Sequence, residues 1–282
     1  MPARLKLFLL GLLIGANCHA NPVLINYPIL PTKGDPQLHY MLSLLKLACG
    51  KAGSTCLLRP GPAMVQGRAI LELQRKQSRI DVMWTMTNRE RERLLLPIRI
   101  PLYKGLIGWR VALLPPGKAH LLAEVNSLKA LARFTAGQEH DWPDTTILQA
   151  AGLPVVSTPD YEPLFTMLAK HRFDYFPRSV IEIQNEQRTH ADLRLEIDQH
   201  ILLHYPTAFY FFVSPNRPKL AQMIRQGLEL AISDGSFDAL FQQHNGNTLR
   251  ALQLDKRQII HLANPLLPPD TPLERKNLWY QP

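Results

Sequence analysis

Past residue 20 the chain has no apolar run approaching the roughly 18 consecutive residues of a membrane-spanning helix, so the mature protein is expected to be soluble. Cysteine is scarce: three in 282 residues, with only Cys49 and Cys56 beyond the first twenty. No histidine or second cysteine pair stands at ligand spacing from them, which argues against a metal site. His200 and His204 are four apart in an extended segment, roughly 13 Å, too far to share one metal directly. There is no Gly-x-Ser-x-Gly elbow, no His-Glu-x-x-His helix and no phosphate-binding glycine loop. Asp192, Glu196 and Asp198 could pair for hydrolysis, but they fall in a polar stretch that reads as a solvated approach to a hinge. No enzymatic role is therefore expected, and no cofactor is implied. No fixed period repeats, and no nucleic-acid recognition module is evident.

What is present begins with an export pattern. Arg4 and Lys6 give a positive start, Leu5 to Ile14 form an apolar stretch of about ten residues, and Cys18-His19-Ala20 is a small-x-small cleavage pattern. Residues 1–20 are expected to be a cleaved signal peptide that sends the chain to the periplasm. Lipidation at Cys18 is the alternative, and Asn17 before it fits poorly. Cleavage removes Arg4 and Lys6 and no acid, so the net charge falls from +9 to about +7. A basic surface attracts nucleic acid, anionic membrane or anionic ligands, and export disfavours nucleic acid. In an oxidising compartment Cys49 and Cys56, seven apart across Gly50–Gly53, are expected to form a disulfide, with two buried thiols as the alternative.

Strand and helix patterns alternate. Val23 to Leu30 reads as a strand. Asp35-Pro36 starts a helix that carries Leu38, Met41, Leu42, Leu45 and Cys49 at helical spacing. Thr55 to Leu58 and Ile80 to Trp84 read as strands, with a helix over 66–77 between them. Further on, strands are expected at 133–135, 155–157, 173–176, 193–197, 201–203 and 208–213. Helices are expected at 127–132 and from Asp141 to about Ala151, after a cap at Asp160, from Pro218 and from Ser236. Such alternation makes an α/β fold with helices on the faces of a sheet. The proline-rich tail from about Leu262 (Pro265, Pro268, Pro269, Pro272) excludes a long helix and is expected to lie extended over the surface.

Three segments, in this order, carry a family resemblance. They are Asp81 to Arg91 with its Met-Thr and following arginine, then Gly137 to Leu148 with Tyr161 to Arg178, then Gly227-Leu-Glu-Leu-Ala-Ile-Ser-Asp-Gly-Ser-Phe237. Together they resemble the type 2 periplasmic binding proteins, in particular extracellular solute-binding family 3, over roughly residues 23–250. The resemblance implies two α/β lobes joined by two hinge strands. Lobe 1 would be 21–107 plus 208–260, lobe 2 the inserted 112–203, and 261–282 a tail. A ligand caught between the lobes would favour the closed form.

In that family hydroxyl residues and an arginine after the third strand hold a ligand carboxylate. The matching positions are Thr85, Thr87 and Arg91, with Arg89 and Arg93 as alternatives for the arginine. Trp142 could stack on a ligand or simply pack, and Tyr27 and Tyr103 are further cleft candidates. Amino-acid binders carry an acidic residue about five positions after the residue matching Asp174; this chain has Arg178-Ser179 there. Arg178 would repel an ammonium and attract an anion, or else it turns to solvent or to Glu182. The expectation is a monomeric solute-binding protein for a small anion, delivering it to an ABC transporter permease or signalling to a membrane sensor. An uncharacterised hydrolase is a remoter third reading.

Overall fold

The structure, a computed structural model, describes residues 22–30 and 37–280. The expected signal peptide and the helix start at Asp35-Pro36 lie outside the described residues. The first lobe opens with β1 (Val23–Ile29), α1 (Leu38–Lys51), β2 (Cys56–Ala63), α2 (Gln66–Leu73), β3 (Val82–Met86), α3 (Arg89–Leu94) and β4 (Leu96–Ile98). The chain crosses over on β5 (Trp109–Leu114) to α4 (Leu128–Leu131), β6 (Ala136–Glu139), α5 (Pro143–Ala150), β7 (Val155–Thr158), α6 (Glu162–Ala169), β8 (Phe176–Ser179), α7 (Ile183–Thr189) and β9 (Glu196–Ile197). It returns on β10 (Ile201–His204) to β11 (Phe209–Val213), α8 (Pro218–Ser233), α9 (Ser236–Ala251) and β12 (Gln258–His261).

In lobe 1, β1 pairs with β2 in parallel, and β11 lies antiparallel between β3 and β4. Asp81 joins the two groups: its backbone N–H donates to the Asn26 carbonyl at 2.7 Å, and its carboxylate accepts from Asn26 Nδ2 at 2.9 Å and Arg217 Nη1 at 2.6 Å. All five residues of β3 and of β11 are buried, which is why both read as continuous apolar runs. Leu220, Ile224, Leu228 and Ala231 form one stripe along α8, which packs on α1. The expected disulfide is formed: Cys49, near the end of α1, is bonded to Cys56 at the start of β2, with Cα atoms 5.9 Å apart. It closes the turn between the first helix and its strand.

In lobe 2, β5 pairs antiparallel with β8 and β9, and β6 runs parallel to β7. Two expected strands lie about three residues further on than their sequence pattern placed them. Phe134 still belongs to the turn after α4, its N–H donating to Leu131, so β6 starts at Ala136. The strand expected at 173–176 is β8, at 176–179. Neither Asp141 nor Asp160 caps its helix; Trp142 and Tyr161 hold those positions without a side-chain cap.

The crossing strands β5 and β10 pair antiparallel, Arg110 opposite Leu203 and Trp109 opposite His204. They approach so closely beside Gly108 that a Cβ there would lie 2.1 Å from the Tyr205 carbonyl oxygen, so only glycine fits. The end of the 208–260 segment forms a strand that the sequence pattern did not show. β12 pairs in parallel with β10, adding a third strand beside the crossing pair instead of extending lobe 1. From there the chain runs back to lobe 1. Arg275 pairs with Glu229 at 2.7 Å, Leu278 is buried, and the Tyr280 N–H donates to the Lys104 carbonyl at 2.8 Å.

Candidate functional site

A cavity of about 430 Å³ lies between the lobes. Lobe 1 contributes Leu30 after β1, Gln37 before α1, Val65 and Gln66 at the start of α2, Met86 on β3, and Phe209. Lobe 2 contributes Glu139, Trp142 and Asp144 around the start of α5, the Pro159–Pro163 stretch leading into α6, and Arg178, Glu182 and Glu186 from β8 and α7. The crossing strand supplies Arg110. Two contacts span the mouth: Arg91 Nη2 donates to the Asp141 carbonyl at 3.2 Å, and Gln37 Nε2 donates to Glu182. The lobes are closed upon each other.

Arg178 is the centre of the lobe 2 wall. Its guanidinium donates to Glu186 at 2.6–3.0 Å and to Glu182 at 3.2 Å. Its plane lies over Trp142 and Phe176, with centroids at 4.6 and 4.9 Å. Burial alone would lower its pKa, but Glu186 and Glu182 overcome that and hold it well above the ordinary value. Arg110 is bound similarly: Nη2 to Asp144 at 2.6 Å, Nε to the Tyr205 hydroxyl at 2.9 Å, and Nη1 3.5 Å from Glu182. The Tyr205 hydroxyl in turn donates to Asp144. Burial pushes the Glu182 carboxyl up against the pull of both arginines.

The expectation that Arg178 offers an uncompensated positive charge is therefore corrected. Sequence reading found no carboxylate at positions 178–179 and gave Glu182 as one alternative partner. The structure brings Glu182, at the cap of α7, and Glu186, within it, and they share its charge. The part of the argument for an anionic ligand that took Arg178 as a free cation falls with it.

Of the other expected site residues, Trp142 does line the cavity. Thr85, Thr87 and Arg91 do not; they form a polar knot inside lobe 1. Arg91 is placed by Asn88, whose side chain caps α3 by accepting the Arg91 N–H at 2.7 Å. Its guanidinium donates to the Thr85 hydroxyl at 2.7 Å, the Met86 carbonyl at 2.8 Å and Gln66 Oε1 at 2.7 Å. Burial lowers its pKa to about 10. The Thr87 hydroxyl donates to Glu92 at 2.6 Å. Arg89 and Arg93 are exposed, so Arg91 is the inward arginine of the three. Tyr27 packs on Trp84 at 5.9 Å and Tyr103 on Phe209 at 5.6 Å; both are buried just behind these lining residues and do not line the cavity themselves.

Sequence reasoning missed Arg110, Glu139, Asp144, Glu186 and Tyr205. Arg110 had a visible signal, as the single charge inside the apolar run from Leu106 to Leu114. An arginine there must find acceptors when the strand is buried.

No protein-family model and no curated sequence matches the chain. Solved structures do. An ancestral arginine-binding protein bound to arginine is 16% identical with a TM-score of 0.58, over 78% of this chain and 97% of its own. A Salmonella typhimurium periplasmic binding protein of high arginine specificity is 16% identical at 0.57, over 78% and 98%. The GluR0 ligand-binding core from Nostoc punctiforme, in complex with L-glutamate, is 15% identical at 0.54, over 79% and 99%. The fold is that of the two-lobed periplasmic binding proteins. In this chain β12 lies along β10, one of the two crossing strands. The remaining fifth of the chain lies outside the alignment with these structures.

Proposed function

We propose that the mature chain is an exported solute-binding protein that captures a small molecule between its lobes and presents it to a membrane transporter. The supporting observation is the closed cavity. It has the volume of a small-ligand site, walls from both lobes, and spanning contacts that only the closed arrangement can make. No Ser, Cys, His or Lys lines it among the described residues, so it has the character of a binding site more than of a nucleophilic one. The basic, apolar and small-residue pattern of residues 1–20 and the Cys49–Cys56 bond agree with an oxidising periplasm. In this reading lobe 1 is 21–107 with 208–260, save that β12 joins the hinge; lobe 2 is 112–203, and the protein works as a monomer. A membrane sensor reading the same closure is the second choice of partner, supported by the likeness to the GluR0 ligand-binding core.

The test is a thermal-shift screen of small metabolites on the mature chain, followed by small-angle scattering with any ligand found. A ligand that raises the melting temperature and shrinks the particle without being consumed supports capture. Turnover of the compound would replace it with an enzymatic reading. Gln37→Ala should weaken ligand-dependent closure, since it removes one of the spanning contacts.

A further inference from the structure

Resting on the solute-binding reading, the charge around the cavity points to a ligand class. Six carboxylates line it (Glu139, Asp144, Asp160, Glu162, Glu182 and Glu186) against the two guanidiniums of Arg110 and Arg178. Both guanidiniums already hold three of those carboxylates in ion pairs. Even with protons on Glu182 and Glu139, the two whose pKa burial raises, four carboxylates remain against the two guanidiniums, one of them, Glu162, lying 3.0 Å from His190 Nε2. Arg91 redresses this only in part: its charge acts on Asp144 and Glu139 from behind the lining, while its hydrogen bonds go to Thr85, Met86, Gln66 and Asp141. A carboxylate entering the cavity would meet no spare pair of cationic donors and a surplus of negative charge.

Glu139 is the group left over. It sits at the end of β6, only 6% exposed, and lines the cavity. Its carboxylate accepts the backbone N–H of Asp141 and feels the charges of His140 and Arg91, but no salt bridge reaches it among the described residues. A carboxylate buried to this degree without a cation in direct contact is costly. Burial first, then the nearby Asp141 charge, push its pKa to about 7. A bound cation would relieve that cost. The rest of the lining, including Leu30, Val65, Met86, Trp142 and Phe209, offers apolar surface for a hydrocarbon or aromatic body.

We propose that the interlobe cavity takes a small organic cation, an amine or amidine without a carboxylate, and that Glu139 is the residue that pairs with it. Asp160, exposed at the edge of the lining, draws the cation in, and the closed lobes exclude water from the pair.

Calorimetric titration of the mature chain with putrescine, agmatine, L-arginine and succinate tests this. Agmatine and L-arginine share a guanidinium and differ chiefly in the carboxylate. The expected result is binding of the two amines, at least about tenfold weaker binding of L-arginine than of agmatine, and none of succinate. Glu139→Gln should lose amine affinity by about tenfold or more while melting no lower than the parent, because a buried charge has been removed. L-Arginine or succinate binding as tightly as the amines would overturn the ligand class and leave solute capture standing. Unchanged amine affinity in Glu139→Gln would overturn the role of Glu139. Failure of all four probes, with a compound of another class found by the screen, would overturn the class alone; failure of every compound would overturn capture with it.

Discussion

The guanidinium carbon of Arg178 lies 4.6 Å from the centre of the Trp142 ring while its nitrogens hold Glu186 at 2.6 Å. Arg178 joins β8 to α7 through charge and to the start of α5 through the indole face. It therefore acts as a structural centre of lobe 2 as well as a wall of the cavity. Removing it leaves the buried Glu186 without its cation and the buried Glu182 with Arg110 and Gln37. Arg178→Ala should cost about 3–5 kcal/mol in urea unfolding. Part of the loss should return on mild acidification, as the stranded carboxylates take up protons. A loss below about 1 kcal/mol would mean that other groups carry those charges.

The disulfide makes a prediction about compartment. It closes a short loop between α1 and β2, seven residues apart. The chain-entropy relation gives about 2.5 kcal/mol for a loop of this length. Cys49→Ser, or reductant added to the parent protein, should lower unfolding stability by that order. An identical midpoint with and without reductant would show that the bond does not form in solution.

The ease of reading the sequence followed the range of the interactions. β3, β11 and α8 were visible because their apolar patterns are local and continuous, as in Val82–Met86, Phe209–Val213 and the Leu220–Ala231 stripe. The cavity was harder. Trp142 was found by its type and position, and Glu182 stood among the alternatives for Arg178, but Glu186 comes from a helix whose sequence, Ile183–Thr189, is mostly polar and shows little of its inward face. Arg110, Asp144 and Tyr205 meet from three separate elements, and no spacing along the chain announces such a meeting. Thr85, Thr87 and Arg91 lie close together, and their hydrogen bonds go to lobe 1 except for the one from Arg91 to the Asp141 carbonyl. β12 was missed because Gln258–His261 is four residues with two apolar ones, and its partner strand is 57 residues away.

His204 and His261 stand opposite each other on β10 and β12, with Nδ1 atoms 3.2 Å apart. His204 also packs on Trp109, ring centres 4.2 Å apart. Burial, then the His261 charge, lower the His204 pKa from 6.5 to about 4. The folded pKa lies below the unfolded value, so the unfolded chain binds the extra proton between them. This histidine's contribution to stability is thus complete above pH 6.5 and is lost as pH falls from 6.5 towards 4. His204→Gln should flatten the stability–pH slope in that window relative to the parent. Parallel slopes for the two proteins would show that His204 titrates normally.

The tail gives the last prediction. Trp279 lies against Gly105, where a Cβ would come within 2.5 Å of its ring, and Gly105 has φ of +77°. The Trp279 Nε1–H donates to the Pro272 carbonyl at 2.8 Å, so the indole is fixed from its own segment as well. Gly105→Ala meets two penalties at once: a left-handed backbone that costs a side chain roughly 1–2 kcal/mol, and displacement of the indole. Trp279→Ala alone removes the contact without straining the backbone. If both penalties operate, the double variant should be more stable than Gly105→Ala by less than the indole clash and less stable than Trp279→Ala by the backbone term alone. Urea midpoints of the three variants and the parent close this cycle. Simple additivity of the two single losses would show that the tail does not rest on Gly105 and is held to lobe 1 by its other contacts, Arg275 with Glu229 and Tyr280 with Lys104.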